Sequence, residues 1–249
     1  MCRLAAYVGP ERPLSDVIMS PPHGLIAQAS QAEEAKFAVN GDGFGVAWYG
    51  QPEVPGLYRD ALPAWSDGNL PSLCQTICSR LFLAHVRAGT YGETSRLNCH
   101  PFVNGRWAFM HNGQCGGFAK GRRVLESLLP DVLYLARKGT TDSELFFLLM
   151  LANGLDRCPV AAFHKTYEQV RSTCNGPVRC AIVISDGTRI WAFRYASDGR
   201  CPTLYASERF DSGGQVVASE PLDQTPANWS AIGPNSHAVF ELRHPVNAG

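Results

Sequence analysis

Cys2 directly follows the initiator Met1, so removal of the methionine, which a small second side chain favours, makes a cysteine the amino terminus of the mature chain. A free N-terminal cysteine carries a thiol and an α-amine on one residue, and the amine, with an ordinary pKa near ~8, accepts the thiol proton close to neutral pH. Nucleophile and base then coincide, an arrangement that supports covalent acyl transfer. The alternative is a buried strand, Cys2-Arg3-Leu4-Ala5-Ala6-Tyr7-Val8, that begins with cysteine as a small hydrophobe.

Four further segments carry residue types able to work with such a nucleophile. His85-Val86-Arg87-Ala88-Gly89-Thr90-Tyr91-Gly92 ends a strand on glycines; there Arg87 either grips a carboxylate with its planar fork or is solvated or structurally paired. Asn98-Cys99-His100-Pro101-Phe102 is followed by Phe109-Met110-His111-Asn112-Gly113. Asn-Gly after an alternating strand predicts a hairpin turn, in which the Asn112 amide and the Gly113 N–H could face a developing oxyanion. Thr140-Thr141-Asp142-Ser143-Glu144 precedes a long apolar run. Thr141-x-x-Glu144 reads as a capping box with Asp142 suited to the helix dipole, and an exposed Asp142 carboxylate could instead hold an ammonium. Asn40-Gly41-Asp42-Gly43-Phe44-Gly45 enters a strand rather than a helix and lacks the Lys-Ser/Thr of a phosphate loop. It is a turn requiring positive φ or a ligand-facing loop.

The elements that must position these residues alternate between two periods. Short runs rich in β-branched and aromatic residues predict strands over Phe44–Tyr49, Arg80–Val86, Arg106–His111, Cys180–Ile184, Ile190–Tyr195 and Val216–Ser219. Helical patterns run over Gly24–Glu34, Leu70–Ser79, Arg123–Lys138 with Pro130 interrupting, Ser143–Ala152 and Pro159–Thr173. Grouped strands with helices between them indicate an α+β sandwich rather than βαβ repeats.

Composition narrows the partners. The 249 residues, 45% hydrophobic, can bury a sizeable core and are read as one domain. Lys+Arg and Asp+Glu balance at 22 each, so no basic surplus points to nucleic acid or an anionic membrane, and the expected partner is a small molecule or another protein. Neither a signal peptide nor an apolar span is evident. Nine cysteines without a secretory signal predict free thiols in the cytoplasm. Cys74-x-x-x-Cys78 has loose metal-ligand spacing, but its surroundings predict two buried cysteines on one face of a helix and no second pair completes a zinc site. No metal or cofactor is expected.

Taken in order, Met1-Cys2-Arg3, His85-Val86-Arg87, Asn98-x-His100-Pro101, His111-Asn112-Gly113 and Thr141-Asp142-Ser143-Glu144 resemble the glutaminase domain of class II glutamine amidotransferases, members of the N-terminal-nucleophile hydrolases. Asp42-Gly43-Phe44-Gly45-x-x-Trp48-Tyr49 and Ala218-Ser219-Glu220-Pro221-Leu222 look most like its stand-alone branch, which includes the γ-glutamyl hydrolase of ergothioneine synthesis and the amidotransferase subunit that degrades glutathione. The resemblance spans nearly the whole chain. It implies a four-layer αββα sandwich with Cys2 as nucleophile and Asn112 and Gly113 as the oxyanion hole. By the same resemblance Arg87 and Asp142 hold the α-carboxylate and α-ammonium of a γ-glutamyl group, Thr90 lines the pocket, and His100 and His111 support it. Ala88 and Tyr91 depart from the Trp and His frequent in the family's synthases.

The expected reaction is hydrolysis of a γ-glutamyl amide, of glutamine or another γ-glutamyl compound, through a thioester on Cys2. The alternatives are an ammonia-producing subunit of a two-protein amidotransferase, whose acceptor chemistry occurs on another polypeptide, and a non-catalytic ligand-binding domain retaining the fold.

Overall fold

The structure, a computed structural model, describes residues 2–34, 38–51, 53–89, 92–210 and 213–242. Two antiparallel sheets form its centre. The first takes β1 (Arg3–Pro13), β2 (Phe44–Trp48), β3 (Gly56–Asp60), β4 (Cys78–Val86), β9 (Tyr205–Ser207), β10 (Gln215–Ala218) and β11 (Trp229–Ala231), in the order β11-β9-β10-β1-β4-β2-β3. The second takes β5 (Phe102–Asn104), β6 (Trp107–Cys115), β7 (Val178–Ser185), β8 (Arg189–Ala196) and β12 (Ser236–Glu241), in the order β12-β8-β7-β6-β5.

Strand alternation divides the apolar residues into three layers. Leu4, Ala6, Val8, Leu81 and Leu83 of the first sheet meet Ala108, Met110, Ala181 and Val183 of the second. The opposite face of the first sheet, with Ala5, Tyr7, Phe82 and Ala84, is covered by short helices, α1 (Ser15–Ile18), α2 (Leu25–Ser30) and α3 (Leu70–Thr76). The opposite face of the second, with Phe109, Ile182 and Phe193, is covered by α4 (Phe118–Glu126), α6 (Asp142–Ala152) and α7 (Pro159–Thr173), beside which lies α5 (Asp131–Ala136). Helix, sheet, sheet, helix is the expected four-layer sandwich.

Local sequence accounts for several boundaries. After its polar first turn α6 is apolar around its circumference, and it is buried from Asp142 to Met150, as a helix enclosed on every side must be. Pro130 splits the helix expected over Arg123–Lys138, becoming the N-cap of α5, because proline has no N–H for the preceding turn.

Two readings are corrected. Asn112-Gly113 is no hairpin turn: β6 runs straight through it to Cys115, with Asn112 opposite Ala181 and Gly113 opposite Cys180. Pairing with β7 overrides the local turn preference of the dipeptide. Cys74 and Cys78 do not share a helix face, since α3 ends at Thr76, Ile77 turns extended, and Cys78 begins β4 with its side chain exposed while Cys74 is buried.

Candidate active site

The starts of β1, β2 and β7 and the ends of β4, β6 and β10 converge at one end of the sandwich. Antiparallel neighbours supply a starting and an ending strand side by side, so loops and strand termini from distant parts of the chain meet there.

Cys2 immediately precedes β1, and the alternation that turns Leu4 and Ala6 toward the second sheet gives Cys2 the same side. His85 has this side on β4, two residues beyond Leu83, and Asn112 has it on β6, two residues beyond Met110. The Cys2 sulfur accepts the Ala88 N–H at 3.4 Å and donates to the Ala88 carbonyl at 3.6 Å. Burial raises its pKa, against the lowering effect of the Ala88 N–H and of the Arg87 and Arg3 charges. A thiol held in its protonated form needs a base before it can attack.

Asn112 is 0% exposed, yet neither its amide nitrogen nor its amide oxygen bonds to any described residue. Buried polar side chains are normally satisfied, and an exception calls for a physical account. Gly113 beside it admits no side chain: a Cβ there would stand 1.9 Å from the Arg179 carbonyl oxygen.

Arg87 is buried and donates to the carbonyls of Asp42 at 3.2 Å and Gly92 at 3.3 Å. The glycine-dense segment before β2 builds its seat. Gly43 takes φ +119°, a conformation open to glycine; its carbonyl accepts Arg87 N–H at 2.8 Å, and Asp42 N–H donates to the Arg87 carbonyl at 2.9 Å. The positive φ expected of this segment is present at Gly43, and the segment's pairing with Arg87 positions the arginine. Thr90 and Tyr91 lie outside the described residues.

Asp142 is buried rather than exposed. Its carboxylate accepts the Cys115 N–H at 2.8 Å and the Ser143 N–H at 2.8 Å, which ties the end of β6 to the start of α6 and leaves further lone pairs for a ligand. The cap forms as expected on one side, Glu144 N–H donating to Thr141 Oγ1 at 3.2 Å. The Glu144 carboxylate, however, reaches past the N-cap to Lys138 N–H at 2.9 Å and Gly139 N–H at 2.7 Å. Asn98 clamps the same segment, accepting Thr140 N–H at 2.8 Å and donating to the Glu93 carbonyl at 2.9 Å.

The histidines separate. His111 takes the helical side of β6, opposite to Asn112, with Nε2 3.2 Å from the Arg179 carbonyl and Nδ1 2.9 Å from Ser143 Oγ. A carbonyl only accepts, so Nε2 carries the proton and Nδ1 of the neutral ring accepts from the serine. His100 lies against His85 with ring centroids 4.2 Å apart and the planes tilted by 33°, and meets Phe102 edge-on at 4.5 Å. Burial pushes the His85 pKa down to about 3, and burial together with the neighbouring His85 holds His100 well below its ordinary value. Both rings are neutral at physiological pH.

Among the thiols near this end, Cys99 donates to the Asp60 and Ser95 carbonyls at 3.3 Å each and burial pushes its pKa up to about 11. Cys115 is buried and raised further by burial and by Asp142. Among the described residues no group of three or more His, Cys, Asp or Glu is placed to hold a metal ion, and no helix is long and apolar enough to cross a membrane.

The comparison with known proteins agrees with this architecture. The family model for class II glutamine amidotransferases matches residues 23–211. The chain belongs to that family. The probable glutamine amidotransferase DUG3 of Saccharomyces cerevisiae is 30% identical, over 99% of this chain and 84% of its own length. The γ-glutamyl-hercynylcysteine sulfoxide hydrolase of Mycolicibacterium smegmatis is 32% identical, over 96% of this chain and 95% of its own. A solved glutamine aminotransferase class-II domain protein from Silicibacter pomeroyi superposes with TM-score 0.75 at 35% identity, over 96% of this chain and 95% of that one.

Sequence reasoning missed Asp42, Ser143 and Glu220 as contributors to this end of the molecule. For Glu220 the signal was present in Ala-Ser-Glu-Pro-Leu, a polar pair closing an apolar strand. Asp42 and Ser143 have partners so distant along the chain that no local pattern announces them.

Proposed function

We propose that this class II amidotransferase relative hydrolyses γ-glutamyl amide bonds, with Cys2, freed of Met1, as the nucleophile. One observation carries the reading: a buried asparagine amide with no partner among the described residues has the same interlayer side as the Cys2 thiol, at the same end of the sandwich. Such an amide is the donor that a tetrahedral oxyanion requires.

The α-amine of Cys2 takes the thiol proton, and the thiolate forms a C–S bond with the γ-carbonyl carbon. The oxyanion is held by the Asn112 amide and the Gly113 N–H. Collapse breaks the C–N bond, the α-ammonium returns its proton to the departing amine, and water cleaves the thioester to give glutamate and the free thiol. Arg87 offers a donor fork for the α-carboxylate and Asp142 an acceptor for the α-ammonium, with His100 and His111 supporting them. The relatives' names do not agree on the group joined to the γ-glutamyl moiety, so the leaving group is assigned only as an amine. One domain carries the reaction, in a reducing compartment that suits nine free cysteines.

The test is glutamate release from glutamine, glutathione and other γ-glutamyl amides by purified protein whose N-terminus has been sequenced. Cys2→Ala should release none while keeping its circular dichroism spectrum. Full turnover in that variant, or in protein retaining Met1, would end the proposal.

A further inference from the structure

Arg3 follows the proposed nucleophile and points the other way, to the helical side of the first sheet with Ala5 and Tyr7. It is 0% exposed. Its Nε donates to the Cys2 carbonyl at 2.7 Å, and its Nη1 donates to Glu220 Oε1 at 2.7 Å. Glu220, 1% exposed, also accepts His23 Nε2 at 2.8 Å and the Glu33 and Glu34 N–H groups at 2.9 Å each. The preceding Ser219 holds the next residue of β1, accepting Leu4 N–H on Oγ at 3.1 Å and donating its own N–H to the Leu4 carbonyl at 2.9 Å.

This is an elaborate mounting for the first residues of a chain, which are ordinarily loose unless tied down. We infer that the Arg3–Glu220 pair is the positioning device of the nucleophile, fixing the Cys2 carbonyl and thereby the direction of its α-amine. The inference rests on the reading of Cys2 as nucleophile. An N-terminal residue has no preceding peptide to set its orientation, so its amine swings freely about the Cα–C bond. With the carbonyl pinned by Arg3 on one side and the sulfur held by Ala88 N–H on the other, rotation is blocked and the amine stays where the thiol proton must go.

The ion pair alone does not explain this geometry. A buried pair replaced by apolar groups is frequently neutral or stabilising, and an arginine needed only to neutralise Glu220 has no reason to direct its Nε at the Cys2 carbonyl. Arginine supplies both contacts because its donors are fixed in one plane. Lysine has a single ammonium, which can keep the pair with Glu220 or reach the carbonyl but cannot hold both in that plane.

The experiment compares parent, Arg3→Lys and Glu220→Gln by kcat, KM, melting temperature and the rate of Cys2 alkylation by iodoacetamide at pH 7.5. Misalignment of a reacting group costs rate rather than binding. Arg3→Lys should therefore lose about tenfold or more in kcat and in alkylation rate, with KM within about twofold of the parent. Glu220→Gln should follow the same pattern with a lower melting temperature. If Glu220→Gln fails to fold, Arg3→Lys, which keeps the positive charge but not the two coplanar donors, decides alone. A purely structural brace would lower the melting temperature and leave kcat and alkylation per folded molecule unchanged, which would overturn the inference. The two claims fail separately: turnover surviving in Cys2→Ala removes the hydrolase reading, whereas parental Cys2 alkylation in both variants removes the positioning role.

Discussion

Asn112→Ala separates catalysis from stability more sharply than any other single change. In the folded protein the Asn112 amide is fully buried and makes no bond to a described residue, and a buried, unsatisfied polar group costs about 1–3 kcal/mol of stability. Truncation to alanine relieves that cost and introduces a void of a few atoms whose penalty runs the other way. The two nearly cancel, so the stability change should stay within about 1–2 kcal/mol, or about 2–8 °C in Tm for a chain of this size. Catalysis should respond very differently. Removing one oxyanion donor typically lowers kcat by about 10²–10³, near 3–4 kcal/mol. Because the oxyanion exists only in the transition state, KM should hardly move. Asn112→Asp should be worse than alanine, since it sets an acceptor anion against the developing negative charge. The assay is steady-state glutamate release with a thermal melt on the same preparations. A kcat within about threefold of the parent in a well-folded Asn112→Ala protein would refute the oxyanion role. So would parallel losses of Tm and activity that leave turnover per folded molecule unchanged.

The same geometry leads to other expected outcomes. Gly113→Ala should cost stability as well as activity, because its Cβ would meet the Arg179 carbonyl oxygen at 1.9 Å and His111 Nε2 at 2.5 Å, and opening a strand pair by overpacking costs about 1–3 kcal/mol; urea titration of a normally stable Gly113→Ala protein would contradict it. Asp142→Asn should lose both stability, by about 1–3 kcal/mol, and kcat/KM, since one amide oxygen must now serve the Cys115 and Ser143 N–H groups that a carboxylate serves with two; intact kcat/KM with a lower Tm would leave Asp142 as a capping residue alone. Acidification should destabilise the fold between about pH 6.5 and 5, above the carboxylate range. His85, His100 and His111 have folded pKa values lowered chiefly by burial, so below the unfolded value near ~6.5 the unfolded chain binds protons that the folded one refuses, and stability falls by up to about 1.4 kcal/mol per pH unit per histidine. Equal unfolding free energies at pH 7 and 5 would show that these rings titrate normally.

Sequence alone determined the elements whose periodicity is strong and whose caps are explicit. Pro159–Thr173 forms as one helix with Pro159 in its first turn, and Asp142–Ala152 begins at the Thr141 cap, because apolar spacing and capping are local properties of the chain. The order of short motifs along the chain also sufficed to mark the family, since each pairs residue types with a turn or strand end that must present them. The strands β3, β5, β9, β11 and β12 were not legible. They are three to six residues long, and β12 alternates half-buried and exposed positions, so partners rather than propensity define them. Tertiary structure alone decided the chemistry of individual groups. Asn112-Gly113 reads as a turn until β7 supplies a partner that holds it extended, and only then does alternation give Asn112 the interlayer side shared with Cys2. Asp142 reads as an exposed cap until the end of β6 covers it. Arg3 and Glu220, 217 positions apart, have no sequence relation; they meet because β10 lies beside β1, and a contact created by sheet order cannot be read from either segment by itself.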